Sequence, residues 1–128
     1  MKKDEQATLR LGIDLVEIDR FQLAVARSGE KFIKRIITEE ERNNYSIDQW
    51  PILFSAKESF IKLIGGLDKG LSFLQMRVYL FEKNYLSIEL NDLLKKYVSG
   101  LGIKDKDIKG DYYVFSDEGL ILTRFWTS

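Results

Sequence analysis

The sequence predicts an α+β fold from three observations: an alternating β-type run near the N-terminus, helical periodicities through the following stretch to residue 64, and two later pairs of β-type runs joined by short turns. Leu9 to Val16 (LRLGIDLV) alternates, with Leu9, Leu11, Ile13 and Leu15 on one face and Arg10, Gly12, Asp14 and Val16 on the other. Glu17 to Arg27 places Ile18, Phe21, Ala24 and Val25 at helical spacing, and Ser28-Gly29 ends that helix. A short helix is expected over Lys31 to Ile37. Thr38 followed by three glutamates is an N-cap with an acidic first turn, opening a helix toward Tyr45. Pro51 suits the first turn of a helix from Trp50 to Ile64, closed by Gly65-Gly66. Ser72 to Phe81 and Tyr85 to Leu90 read as a hairpin around Glu82-Lys83-Asn84. Asn91 caps a short helix ending near Gly100 to Gly102, and the charged loop KDKDIKGD leads to a hairpin of Tyr112 to Phe115 and Leu120 to Trp126.

A chain of 128 residues with one proline, no repeats and no polar linker is the length of a single domain, spanning residues 1–128. Twenty basic and twenty acidic residues cancel, so no global field favours nucleic acid or an anionic membrane, and recognition must come from local patches. The absence of cysteine removes disulfides and thiolate metal sites and fits a cytoplasmic setting. No apolar run is long enough to span a bilayer, and the first residues lack the apolar core of a signal peptide. The absence of histidine excludes imidazole bases, histidine triads and the common zinc sites. Chemistry must use carboxylates, lysine, hydroxyls or bound metal.

On the helix from Trp50, Ser55, Glu58, Ser59, Lys62 and Gly65 share the polar arc. Glu58 and Lys62, four apart, have the spacing of an ordinary surface ion pair, and that spacing alone does not call for a functional role. Lys57 falls inside the apolar arc, where it either snorkels to solvent or directs its ammonium at an anion in a crevice. Asp14 interrupts a strand of β-favouring residues and needs a partner unless it is a solvated edge-strand residue. Gly12, on the same face, leaves room for a ligand or a helix. Magnesium takes one or two protein carboxylates and completes its shell with water and phosphate oxygens, a demand that Asp14, Glu58 and nearby lysines would match. Gly65 and Gly66 could offer backbone amides to a phosphate, or simply end the helix.

Gly12-Ile13-Asp14, 39 intervening residues, and then Phe54-Ser55-Ala56-Lys57-Glu58-Ser59-Phe60-Ile61-Lys62 resemble the two signature motifs of the 4'-phosphopantetheinyl transferases, specifically the small holo-acyl-carrier-protein synthase type. GIDLVEIDRF, RIITEEE, the Leu71-Ser72-Phe73 segment and the closing hairpin extend the resemblance over most of the chain. It implies transfer of the phosphopantetheine arm of coenzyme A to a serine of an apo acyl carrier protein, releasing adenosine 3',5'-bisphosphate. It also implies Mg2+ held by Asp14, Glu58 and the diphosphate, with Lys62 near the phosphates and Lys57, in the same motif, as a further coenzyme A-binding residue. Glu58 or a metal-bound water would take the serine proton, and Arg20 would meet the acidic helix of the carrier. The resemblance implies a homotrimer with active sites at subunit interfaces.

Two positions depart from the family pattern. Where its third motif has a histidine after serine, the matching residues here are Ser116 and Asp117; where an arginine often precedes the second motif, this chain has Leu53. Both changes remove a cation from the expected surroundings of a polyanionic ligand, where one charged hydrogen bond is worth about 1.5–3 kcal/mol. Lys69 and Arg77 are candidate replacements. The resemblance therefore admits a second reading, a catalytically impaired relative that binds a carrier protein without transferring the arm.

Overall fold

The computed structural model describes residues 9–127. Five strands form one antiparallel sheet, β1 (Leu11–Glu17), β2 (Met76–Phe81), β3 (Tyr85–Leu90), β4 (Ile108–Phe115) and β5 (Leu120–Thr127), in the order β1-β5-β4-β3-β2. The helices are α1 (Ile18–Ser28), α2 (Glu30–Ile36), α3 (Glu39–Asn44), α4 (Trp50–Leu63) and α5 (Asp92–Gly100). The expected α+β fold is the one observed. Among the described residues no helix is long and apolar enough to cross a membrane.

The helix ends follow local chemistry. Thr38 Oγ1 accepts from the Glu41 amide while the Glu41 carboxylate accepts from the Thr38 amide, closing a capping box on α3. Pro51 sits in the first turn of α4, and Asn91 caps α5 through the Leu94 amide. Two boundaries differ from expectation. Residues 73–75 form a helical turn behind a Ser72–Gln75 capping box, so β2 starts at Met76. β4 starts at Ile108, inside the charged segment, because Ile108 to Asp111 pair with Thr127 to Arg124 across the sheet.

α4 packs chiefly against β1 and β5, and the close approach has a sequence cause. A Cβ on Gly12 would stand 1.8 Å from the Ser59 carbonyl oxygen and 2.6 Å from the Leu63 amide nitrogen, so only glycine admits the helix at that point. Phe60 meets Phe125 edge-on at 5.7 Å, and Gly110 clears the space that the Phe125 ring occupies. On the far side of α4, the rings of Phe21, Phe32, Phe54 and Phe73 pack in succession and tie α1 and α2 to it.

The two faces of β1 are used in an unexpected sense. Gly12, Asp14 and Val16 are buried under α4, whereas Leu11, Ile13 and Leu15 are exposed. The inner face is selected by how closely a helix can approach, and the apolar residues are left on the outer face of the sheet.

Candidate active site

The site begins where β1 runs under α4. Asp14 lies opposite Thr123 of β5 and is 9% exposed, so it is not a solvated edge-strand aspartate although β1 is an edge strand. Each of its oxygens has one partner: Ser55 Oγ donates to Oδ2 at 2.9 Å and Lys62 Nζ donates to Oδ1 at 2.9 Å. Lys62 Nζ also reaches the Ile13 carbonyl at 3.2 Å. The lysine thus reaches across to the strand rather than pairing with Glu58 along its own helix. Its side chain remains half exposed, so the ammonium stays within reach of an arriving anion.

Glu58 follows one turn later than Ser55 and is partly buried on the same side of α4. Partial burial holds its carboxyl above the usual glutamate range, and the negative charge of Asp14 adds to that, with Lys62 opposing. The charge of Asp14 on β1 therefore acts on Glu58 of α4. Among the described residues no group of three or more such ligands occurs, so the protein offers two carboxylates and leaves the rest of any coordination shell to water and substrate. That donor set fits magnesium and does not fit a closed structural metal site.

The expectation that Lys57 reaches a ligand is corrected. Lys57 is 0% exposed and neither snorkels nor faces a crevice: its ammonium donates to Glu41 Oε1 at 2.6 Å and to the Ile36 carbonyl at 2.8 Å. Burial lowers its pKa, opposed by Glu41. Glu41 also accepts from the Thr38 amide and, at 2.7 Å, from the Val78 amide, so one buried ion pair joins α2, α3, α4 and β2. The amides of Gly65 and Gly66 bond the Lys62 and Ile61 carbonyls at 3.2 and 2.9 Å, which corrects their reading as phosphate donors: both close α4 with positive φ.

Ser116 and Asp117 lie at the exposed tip of the β4–β5 hairpin. Thr123, the cross-strand neighbour of Asp14, is three strand steps inside that hairpin, roughly 10 Å from its end. Within one chain the tip is separate from Asp14 and Glu58. Arg20 projects from α1 beside Glu17, 3.3 Å away and largely solvated. Leu53 is fully buried in the core and presents nothing to a crevice, and Arg77 is tied to Glu40 and Glu89. Lys69 is exposed on the loop after α4.

Sequence reasoning missed the roles of Glu41 and Thr123. Glu41 was legible as a cap but not as the partner of Lys57. Thr123 had a signal: it is a hydroxyl at an inward position between the buried Ile121 and Phe125.

A strand aspartate and a helix glutamate whose charges act on each other, with a half-exposed lysine bound to the aspartate, thus sit together on an antiparallel α+β scaffold. The chain belongs to the 4'-phosphopantetheinyl transferase superfamily, whose family model matches residues 10–114. It is 34% identical over 103 residues to the holo-[acyl-carrier-protein] synthase of Cronobacter sakazakii, covering 76% of this chain and 82% of that protein. It is 36% identical over 104 residues to the same enzyme of Yersinia enterocolitica, covering 77% and 82%. Among solved structures, the holo-[acyl-carrier-protein] synthase of Neisseria meningitidis superposes with a TM-score of 0.75 at 22% identity, covering 93% of this chain and 97% of that one. The Helicobacter pylori enzyme, solved in complex with coenzyme A, superposes with a TM-score of 0.67 at 25% identity, covering 92% and 99%.

Proposed function

We infer that this chain transfers the 4'-phosphopantetheine arm of coenzyme A to a serine of an apo acyl carrier protein, leaving adenosine 3',5'-bisphosphate, with Asp14 and Glu58 holding Mg2+. The observation that carries the metal assignment is the electrostatic effect of Asp14, on β1, on the half-buried Glu58 of α4, with Lys62 of the same helix bound to Asp14. Bound there, the ion would neutralise the diphosphate and make the bisphosphate a better leaving group.

The chain's own groups supply the remainder. Asp14 is held from behind by Ser55, whose hydroxyl sets the side from which its carboxylate meets a ligand. Lys62 neutralises Asp14 in the resting protein and can swing to a phosphate oxygen as substrate binds. Among the described residues no hydrogen bond or ion pair engages the Glu58 side chain, which leaves its carboxylate open both to the ion and to the serine hydroxyl. Arg20, exposed on α1, offers a cation to an acidic carrier surface.

We propose a homotrimer built on the outer face of the sheet. Support comes from Leu11, Ile13, Leu15, Tyr113 and Phe115, all exposed, beside Asp111 and Arg124, which pair through two 2.7 Å bonds. Such an assembly would bring the Ser116–Asp117 tip of one copy to coenzyme A held by another.

The activity is tested by incubating the protein with coenzyme A, Mg2+ and a panel of apo carrier proteins and reading carrier mass. Gain of the arm by wild type and its loss in Asp14→Ala is the expected result. If no carrier gains the arm, and Asp14→Ala binds coenzyme A like wild type, the reading fails and the impaired-relative alternative replaces it.

A further inference from the structure

Behind the Asp14 carboxylate runs a file of three hydroxyls closed to solvent, Ser55 and Ser59 on α4 and Thr123 on β5, all 0% exposed. Ser55 Oγ donates to Asp14 Oδ2 at 2.9 Å and stands 2.8 Å from Thr123 Oγ1. Thr123 Oγ1 donates toward Ser59 Oγ at 3.1 Å, and Ser59 Oγ donates to the Ala56 carbonyl at 2.9 Å. Thr123 is also the cross-strand partner of Asp14, so the file is anchored on both strands that carry the site.

Four contacts are served by only three hydroxyl hydrogens. In one arrangement Ser55 donates to Asp14, Ser59 to the Ala56 carbonyl, and Thr123 to either serine. In the other, Ser55 donates to Thr123, Thr123 to Ser59 and Ser59 to the carbonyl, which releases Asp14 Oδ2. Each arrangement places all three hydrogens. Asp14 Oδ2 can therefore change partner without stranding a buried donor, whose desolvation would cost about 1–3 kcal/mol.

We propose that Ser55 and Thr123 are positioning residues for Asp14: Ser55 fixes the inner carboxylate oxygen, and Thr123 fixes Ser55 and takes up its hydrogen when that oxygen changes partner. The outer oxygen, Oδ1, is thereby kept facing Lys62. Without Thr123, the Ser55 hydroxyl is free to turn to the carbonyl four residues back on its own helix, that of Pro51, as helical serines do. The role is distinct from packing, which Thr123→Val would preserve by shape alone. The proposal rests on the reading of Asp14 as a ligand of a divalent cation.

The test uses the whole protein with excess coenzyme A, titrated with Mn2+ and read by the EPR signal of the free ion, with a coenzyme A blank. Thr123→Val keeps the volume and loses the hydroxyl, whereas Thr123→Ser keeps the hydroxyl and loses the methyl. The proposal expects Mn2+ affinity to fall about tenfold or more in Thr123→Val and to stay within about twofold of wild type in Thr123→Ser. Wild-type affinity in Thr123→Val, or an equal loss in both variants, overturns it. Should Thr123→Val not fold, as judged by its melting transition, Ser55→Ala takes its place with the same expected loss and the same overturning result. Asp14→Asn separates the two levels: if it binds Mn2+ as well as wild type does, the cation reading itself is wrong, whereas a loss there with none in Thr123→Val sinks only the hydroxyl file.

Discussion

Lys57 and Glu41 place two full charges where solvent does not reach, and they are tolerable because the ammonium donates to the carboxylate and to the Ile36 carbonyl while the carboxylate also accepts from the Thr38 and Val78 amides. Removing one partner leaves the other charge buried. Lys57→Met is therefore expected to destabilise the protein by about 3–5 kcal/mol in urea unfolding; a loss below about 1 kcal/mol would show that the pair is not buried in solution. Tyr79 gives a pH prediction. Its hydroxyl donates toward Glu40 and Glu89 at 3.2 and 3.0 Å, and desolvation together with these carboxylates pushes its pKa up to about 12. Because the folded value lies above the unfolded one, the contribution of Tyr79 to stability is complete below about pH 10 and is lost as pH rises toward 12. Ultraviolet titration should show one late tyrosine that disappears in Tyr79→Phe; unchanged late absorbance in that variant would assign it elsewhere. At this scale the sequence was only partly legible. Asp14, Glu58 and Lys62 stood out through residue type and spacing, but the direction of a lysine on a helix depends on which acid another element brings to it, and Glu41 lies 16 residues away.

Between elements, the site depends on how near α4 lies to β1. Gly12→Ala would push a methyl into the Ser59 carbonyl, and since the atom met is helix backbone, α4 must shift. We expect a stability loss of about 1–3 kcal/mol and, because the shift moves Ser55, Glu58 and Lys62 relative to Asp14, a fall in transfer rate in molecules that remain folded. A stable Gly12→Ala variant with wild-type rate would show that this approach is not needed for catalysis. Helices were read with little error, since Thr38, Pro51, Asn91 and the glycines after α1 and α4 are local signals that act through the backbone next to them. Strand starts were less legible. Ile108 to Gly110 look like charged loop, and they extend only because β5 supplies an antiparallel partner.

For the molecule as a whole, the proposed trimer puts the outer sheet face at the contacts between copies. A charge in the middle of that face, Ile13→Glu, is expected to convert a trimer to monomers in sedimentation velocity and to lower transfer activity, with α4 and the buried side of β1 undisturbed. A monomeric wild type, or a variant that sediments like wild type, would remove the outer face from any role in assembly. The alternation in β1 was plain in the sequence, but which face meets the helix was not, because the apolar residues would ordinarily be assigned inward and the decisive feature was the missing side chain of Gly12. The strand consequently carries two kinds of information in adjacent codons. In a saturation-mutagenesis survey scored by growth, tolerance along residues 11–16 should oscillate with a period of two: even positions refuse nearly every replacement, and odd positions accept apolar exchanges while rejecting charge. Deleting a single codon there would exchange the two sets at once, so that length in this strand is under stricter selection than composition.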